Sequence, residues 1–538
     1  MSKIYNKKNK RYIRALAAGI SGMALSTPAS AFLLEFDNPD LTGFVDSTIS
    51  ISAAVALNNS FPNMTAASSG RQNIFNSSGD VYSAPFSIVS DMGLNYKDMG
   101  VFARVGYVYD FALRDGANKC SSDAVCNTSV APGTMDGLSD SAREEGNRLR
   151  LYDFFVYKDF DISGHAASVR VGKQVINWGE SNIAGGGITQ SINPVDLGKS
   201  TSPGSEVKER LLPQEMVYAN YELNDLTSVE AFYIWNWRKS DFFPVGTFFS
   251  PYDFQGEGVN SALAGTKIGS DTPDRGGQYG IAVHTILENF DEMDLGFYYT
   301  KTHAHMAYMQ AFSNGTYRDV YAEDQDTYAV SLNGEVGDTG ISFQTELSYK
   351  PDYWDTRSCM NFHGATAPTT YPQTNALPGC GIGAGDVTTL LGSMTYTGGK
   401  PLFGADKQAY VVDMAIVNID GIDLNSAEVG RPHSQGVDQL DRPINDLAYG
   451  YTLVASYTYN NLFWNLNVNP VFVFKHDLEG NMPLNHTNMT EEQRVVKAGV
   501  TFDYQNTMSL NIGATKWIST DGTFGDRDNV SATFKYSF

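Results

Sequence analysis

The 538-residue chain is poor in cysteine, poor in histidine and, beyond its first residues, without any long apolar run. Each shortage excludes something. With no run of about 18 apolar residues after residue 31, the mature chain has no transmembrane helix. Basic residues are also scarce, 38 Lys and Arg against 60 Asp and Glu. That balance argues against a nucleic-acid partner, because neutralising phosphates requires basic patches. Among eight histidines, His303 and His305 share a strand face, but neither a cysteine nor a third ligand lies near enough for a metal site. No histidine stands beside a serine in a recognisable catalytic motif. No enzymatic activity, catalytic residue, cofactor or metal is therefore assigned. A recurring helical period is missing as well.

What is present begins with an export signal. Lys3, Lys7, Lys8, Lys10, Arg11 and Arg14 precede an apolar run from Ala15 to Leu25, and Ala29-Ser30-Ala31 supplies a small-x-small cleavage pattern. Such a segment is a secretory signal peptide, too short for an anchor. Residues 1–31 are read as that signal, and residues 32–538 as the mature protein. Loss of six basic residues leaves 32 Lys and Arg against 60 acids, a formal charge of −28. An exported destination suits disulfides. Cys120 and Cys126, then Cys359 and Cys380, form two local pairs in polar, Gly/Ser/Thr/Pro-rich segments. Three connectivities are possible for four cysteines, and proximity favours the local one.

From Thr42 onward the dominant period is two. Ile341, Phe343, Thr345, Leu347 and Tyr349 alternate with Ser342, Gln344, Glu346, Ser348 and Lys350. Leu462, Trp464, Leu466 and Val468 likewise alternate with asparagines. Each segment thus has one apolar and one polar face. Connection lengths separate a membrane barrel from a soluble sandwich. Short turns, such as Gly337–Gly340 and Asn460-Asn461, alternate with long polar stretches such as Asp115–Gly146 and Pro351–Gly385. Periplasmic turns and outer loops of a bacterial barrel alternate in this way. Seventeen segments are evident, and an even count is required. Val387–Thr397, followed by Gly398-Gly399-Lys400-Pro401, supplies the missing strand. The expected fold is all-β, a single antiparallel transmembrane barrel of about eighteen strands, with sixteen as the competitor.

The last strand, Val530, Ala532, Phe534, Tyr536 and Phe538, ends in an aromatic. It is similar to the terminal signature through which the barrel-assembly machinery recognises its clients. Trp464, Trp517, Tyr299 and Tyr349 are candidates for the interfacial aromatic girdles. The expected location is the outer membrane of a Gram-negative bacterium, in contact with its lipid.

One stretch, Val175–Met216, stands apart. It carries Gly185-Gly186-Gly187, Asn193-Pro194 and Pro203-Gly204 between two strands. A loop this long is usually functional or disordered. Residues 180–213 are expected to fold into the lumen, the glycines permitting tight passage. Arg104, Arg150 and Arg170 lie on three successive strands, and a lipid-facing arginine would cost about 2–4 kcal/mol. They are expected to face the lumen, opposing Glu180, Asp196, Glu206 and Glu209 as a selectivity-setting lining. One flaw in this register is Asp153, which falls on the side of Leu149 and Leu151 unless a bulge intervenes. Trp178, Phe248 and Phe249 are candidate solute contacts. For Trp178 an anchoring role is favoured, and for the phenylalanines packing over the mouth.

VRVGKQVINWGES (Val169–Ser181), GGITQSINPVD (Gly186–Asp196), PGSEVKERLLPQEM (Pro203–Met216) and FPVGTFFSPYDFQGEG (Phe243–Gly258) resemble the proteobacterial outer-membrane family catalogued as domain of unknown function 1302. The resemblance implies a large outer-membrane barrel. It brings no settled substrate, only an association with lipid or hydrophobic-compound transport. The leading expectation is a porin-like channel for small organic or hydrophobic solutes. Alternatives are the outer-membrane component of a lipid or hydrophobic-compound export pathway, with a periplasmic or inner-membrane transport partner, and a structural or adhesive surface protein. For the cysteines, non-reducing peptide mass mapping should link Cys120 to Cys126 and Cys359 to Cys380. Crossed pairs would refute the assignment of both segments as separate outer loops.

Overall fold

A computed structural model describes residues 32–59, 75, 77–115, 138, 140–180, 186–250, 256, 266–311, 316–355, 383–420, 445–481, 489–518 and 524–538. The expected signal segment and all four cysteines lie outside the described residues. The strands of the barrel are β1 (Leu41–Ala56), β2 (Pro85–Tyr96), β3 (Met99–Asp110), β4 (Asn147–Ile162), β5 (His165–Gln174) and β6 (Gln214–Asn224). Then come β7 (Thr227–Asn236), β8 (Gln278–Leu287), β9 (Met293–Thr302), β10 (Gln325–Glu335), β11 (Ile341–Asp355) and β12 (Gly383–Tyr396). The circuit finishes with β13 (Lys407–Asp420), β14 (Leu447–Phe463), β15 (Leu466–Glu479), β16 (Arg494–Tyr504), β17 (Met508–Ile518) and β18 (Asn529–Ser537). The result is a closed antiparallel barrel of 18 strands, including the twelfth strand inferred from turn parity. Each strand pairs with the next, and β18 closes on β1 with Phe534 opposite Ile51. Closure leaves no edge, the condition for a β-structure in lipid.

Period-two sequence sets the facing of every strand. On β4, Leu149 is 72% exposed on the outer wall, while the side chains of Arg148 and Arg150 are turned inward to acidic partners. Tyr299, Tyr328 and Tyr349 lie in register on β9, β10 and β11 and form an outer tyrosine belt, with rings of Tyr299 and Tyr328 5.2 Å apart. Two girdle expectations need correction. Trp517 points to the inside of the mouth, packed on Phe524 at 5.2 Å. Trp464 is not on a strand: with Asn465 it forms the β14–β15 turn, both at positive φ, the backbone of a two-residue primed turn. The turn therefore lies beyond Asn460-Asn461, and Leu462 belongs to β14. Alternation could not show this, because aromatic and apolar residues continue through the turn.

The Asp153 anomaly resolves into a bulge. Between Ala103 opposite Phe154 and Val105 opposite Leu151, the pairing of β3 with β4 slips by one residue, so Tyr152 and Asp153 together oppose Arg104. An extra residue in one strand turns the side chains beyond it to the other face. Both Tyr152 and Asp153 become buried, and the carboxylate accepts from Arg104 Nη1 at 2.9 Å. Asp91 on β2 takes Nε of the same guanidinium at 2.7 Å and Nη2 at 3.0 Å. Removing one charged partner of a buried hydrogen bond costs about 1.5–3 kcal/mol. Asp153→Ala is expected to lower the unfolding midpoint in urea from detergent micelles accordingly; an unchanged midpoint would mean that Asp91 alone satisfies Arg104.

Candidate functional site

The 175–213 connection enters the lumen because it carries an apolar face of its own. Ile188 and Ile192, one helical turn apart on Ile188–Ile192, join Ile176 and Trp178 against Met216, Tyr218, Phe232, Ile234, Ala282, Tyr298 and Ala329. Those partners come from the inner faces of β6 to β10. Burial of each large apolar side chain contributes about 1.5–3 kcal/mol. Trp178 is an anchor: it is 3% exposed, its Nε1–H donates to Glu230 at 2.6 Å, and its ring lies 5.0 Å from Phe232.

Backbone passage through the lumen leaves amides to satisfy. Glu346, buried on β11, accepts from the N–H of Glu180 at 3.1 Å and that of Ile188 at 2.7 Å. It thus anchors both sides of the glycine run. Gly179 sits at φ +78 where a Cβ would come within 2.1 Å of the Glu346 carboxylate, so no other residue fits there without displacing it. Neither Glu346 nor Glu230 was singled out from sequence, although each is an acid on an inward strand face.

Asp196 organises the next segment. Its Oδ1 accepts from the N–H of Lys199 at 2.8 Å, capping the turn Leu197–Thr201. Its Oδ2 accepts from Arg148 Nη2 and Arg150 Nη1, each at 2.9 Å. Arg150 also bonds Asp241, which lies 3.4 Å from Arg238. The expected opposition of Arg150 and Asp196 is present, with Arg148 as a second cation that sequence reading missed. Arg104 and Arg170 differ from expectation. Arg104 meets the wall acids Asp91 and Asp153 rather than acids of the loop. Arg170 stacks on Tyr218, 4.2 Å from the ring centre, with Phe155 on another side at 5.7 Å. Among the loop acids, Glu209 pairs inside the loop with Lys199 at 2.8 Å. Glu206 lies 3.2 Å from Lys208 and 3.5 Å from Lys535 on β18, and Glu180 accepts from Asn333 at 2.7 Å.

Phe248 and Phe249 are not exposed. Phe248 stacks on Tyr82 at 3.9 Å, and both join Phe243, Ala54, Ala56 and Leu138 in a cluster at the outer mouth. Beside it a cleft open to solvent is lined by Tyr82, Phe248 and Phe249 and by Arg148, Asp196 and Lys199. The two histidines hold backbone. His303 Nδ1 accepts from the N–H of Asp324 at 3.0 Å, so its Nε2–H donates to the carbonyl of Gly276 at 3.1 Å. His305 lies between the carbonyls of Arg238, 2.8 Å from Nδ1, and Ile192, 3.0 Å from Nε2. It ties the end of the lumen helix to the loop after β7.

The family model described as "Protein of unknown function (DUF1302)" matches residues 12–538. The chain belongs to this family. No curated protein matches. Among solved structures, the DUF1302 chain is similar to Acinetobacter baumannii OccAB3, with TM-score 0.45 and 9% identity over 92% of this chain and 99% of that one. OccAB1 from the same organism gives TM-score 0.45 and 12% identity over 95% and 99%. Pseudomonas aeruginosa OpdK, solved with vanillate, gives 0.42 and 10% over 92% and 98%.

In the DUF1302 chain the loop braces one side of the lumen. Its polar contacts reach β2 through Lys208 and Asp91, β4 through Asp196, β7 through Trp178, β10 and β11 through Glu180, and β18 through Glu206. At Gly204 a Cβ would press on Ser52 and Thr533, so the loop also touches β1 and β18. Among the described residues no hydrogen bond or ion pair ties it to β12–β17. On β12–β14 the inner face is buried and largely apolar around Val387, Leu391, Ala415, Val417 and Ile419, whereas on β16 and β17 it is small and polar: Gly499, Thr501, Asn511, Gly513 and Thr515 share it by register, and a Cβ at Gly513 would meet only ordinary contacts.

Acid should loosen the brace. Burial opposes ionisation of Glu209 and Asp241, but Lys199 beside the first, and Arg150 and Arg238 beside the second, hold both below the usual carboxylate range. For His305, burial outweighs the two carbonyls and lowers its pKa from 6.5 to about 4. Groups with depressed native pKa stabilise the docked loop at high pH and lose that contribution as pH falls. Loss begins below 6.5 as a released His305 would protonate, and continues below the carboxylate range through Glu209 and Asp241. Hydrogen-exchange protection factors of amides 186–212 are expected to fall from pH 7 to pH 5 and again at pH 3.5. Constant protection would show that these groups do not hold the loop.

Proposed function

We propose that the protein is a passive outer-membrane channel for small organic solutes, with the 175–213 loop as its constriction. The observation that carries this is the one-sided brace: the loop packs against β6–β11 and makes no hydrogen bond or ion pair to the small, polar inner face of β16–β17 among the described residues. A plug built only to seal would be expected to engage the wall all round. Solutes would enter by the mouth cleft, where Phe248, Phe249 and Tyr82 offer a ring surface opposite Arg148, and pass between the loop and β16–β17. Arg104, Arg150 and Arg170 then act mainly on the shape of the lumen, since each is already committed to an acid or to rings. The polar wall favours polar over apolar solutes, narrowing the range expected from sequence. Delivery to the membrane would run through recognition of β18 by the assembly machinery.

Purified protein in planar bilayers should give discrete conductance, and a several-fold larger one after deletion of residues 182–205. Absence of current from both forms would sink the channel proposal. Equal conductance would remove the loop from the constriction.

A further inference from the structure

The seam between β18 and β1 joins strands of unequal length. β1 runs for 16 residues, Leu41–Ala56, whereas β18 has 9, Asn529–Ser537. β18 pairs with Thr48–Ala56, and Phe538 then exchanges backbone hydrogen bonds with Ser47 at 2.8 and 2.9 Å. Below Ser47, β1 continues to Leu41 with β2 on its other side. Its seam side there is taken by a short strand, Phe32–Leu34, with Phe32 opposite Val45, Leu33 opposite Phe44 and Leu34 opposite Gly43. Both pieces run antiparallel to β1, so they lie end to end along one edge. Between them, only the position opposite Asp46 has no residue among those described. The break leaves no ladder bond unmade, because backbone groups alternate between the two edges of a strand. Ser47 faces the seam, Asp46 faces β2, and Val45 faces the seam again. Side chains keep step across the break as well. Phe534, Tyr536 and Phe538 stand outward opposite Ile51, Ile49 and Ser47, and Phe32 takes the next outward place, opposite Val45. Gly43 makes room for Leu34, whose Cδ1 would lie 3.0 Å from a Cβ there. A turn at Asn38, which accepts from the N–H groups of Asp40 at 3.0 Å and Leu41 at 3.1 Å, returns the chain into β1.

We propose that Phe32–Leu34 is a latch that completes the closing strand, and that the export signal is cut from it at the Ala31–Phe32 bond. The inference stands apart from the channel reading and holds for a barrel of any function. Register fixes the position of the cut. A residue ahead of Phe32 in the strand would fall opposite Asp46, and the one before it opposite Ser47, whose N–H and C=O already bond Phe538. Chain preceding Phe32 therefore has to leave the sheet, and a cut flush with Phe32 leaves nothing that the edge is unable to seat. The same bond follows the small-x-small pattern Ala29-Ser30-Ala31. Hydrolysis by an export-signal peptidase adds one water across that amide, leaving a carboxylate on Ala31 and an α-ammonium on Phe32 that still donates towards β1. Without the latch, Gly43 and Val45 would turn unpaired N–H and C=O groups to the membrane edge. Such an edge is costly in lipid and is a template for a foreign strand.

Two measurements on the protein purified from cell envelopes test the two parts. Mass spectrometry should give an N-terminal peptide that begins at Phe32, and any other start would overturn the cut. Hydrogen exchange tests the latch. The amides of Gly43 and Val45 are expected to be protected in the mature protein and to exchange at least tenfold faster in Leu34→Pro, which removes a donor facing β1. A chain beginning at Asp37 should show the same loss. Leu33→Pro is the control: its N–H points away from β1, so protection should be kept. The amides of Ile49 and Ile51, covered by β18, report that the barrel is closed and should stay protected in all four proteins. With those two protected, equal exchange at Gly43 and Val45 throughout would overturn the latch. So would a loss in Leu33→Pro as large as that in Leu34→Pro.

Discussion

A segment folded into the interior of a membrane barrel must find partners for its charges and amides there, and Asp196 is where this chain meets that demand. One carboxylate caps a helical turn with one oxygen and receives two arginines with the other. Lone buried charges are expensive, and removal of one member strands the rest. Arg148 and Arg150 can face inward because Asp196 and Asp241 stand opposite, and those acids can lie inside because the arginines do. The loop and the wall are thus mutually dependent, each making the other's polarity tolerable.

The same accounting divides the lumen. Towards β6–β11 the contact is mostly apolar, with Ile188, Ile192 and Trp178 seated among inward aromatic and aliphatic residues. Glu346 and Glu230 enter that region only as acceptors for N–H groups of the loop. Towards β16–β17 the inner face is small and polar, with Gly499, Thr501, Asn511 and Gly513. The asymmetry follows from where the loop spends its apolar face.

Much of the fold was legible because a membrane barrel writes its strands in a simple code. Alternation located the strands, and the parity of short and long connections recovered β12 when alternation alone fell one short. The code fails where its premise fails. At Trp464-Asn465 an aromatic occupies a turn, and nothing in hydrophobicity distinguishes it from a strand residue. Trp517 was assigned to the girdle on composition, yet its inward side contacts Phe524. The lumen loop was legible as a loop, from glycine and proline, and Asp196 with Arg150 was legible as a charge pairing. Arg148, Glu230 and Glu346 were not. Their roles depend on which segments cross the lumen and at what height, and that is decided by tertiary packing between residues far apart in the chain.

The bulge at Tyr152-Asp153 has a consequence for assembly. Side chains on a strand change face with every residue, so a slip of β4 by one position would send Arg148 and Arg150 to lipid and strip Asp196 and Asp241 of their partners. The bulge opposes such a slip, since only one alignment sets Asp153 against Arg104. The loop then proofreads the same alignment from within: it can dock only on a wall whose arginines point at it. A misregistered barrel would be left with an undocked, acid-bearing segment at its mouth, visible to proteases in a way the correctly zipped barrel is not.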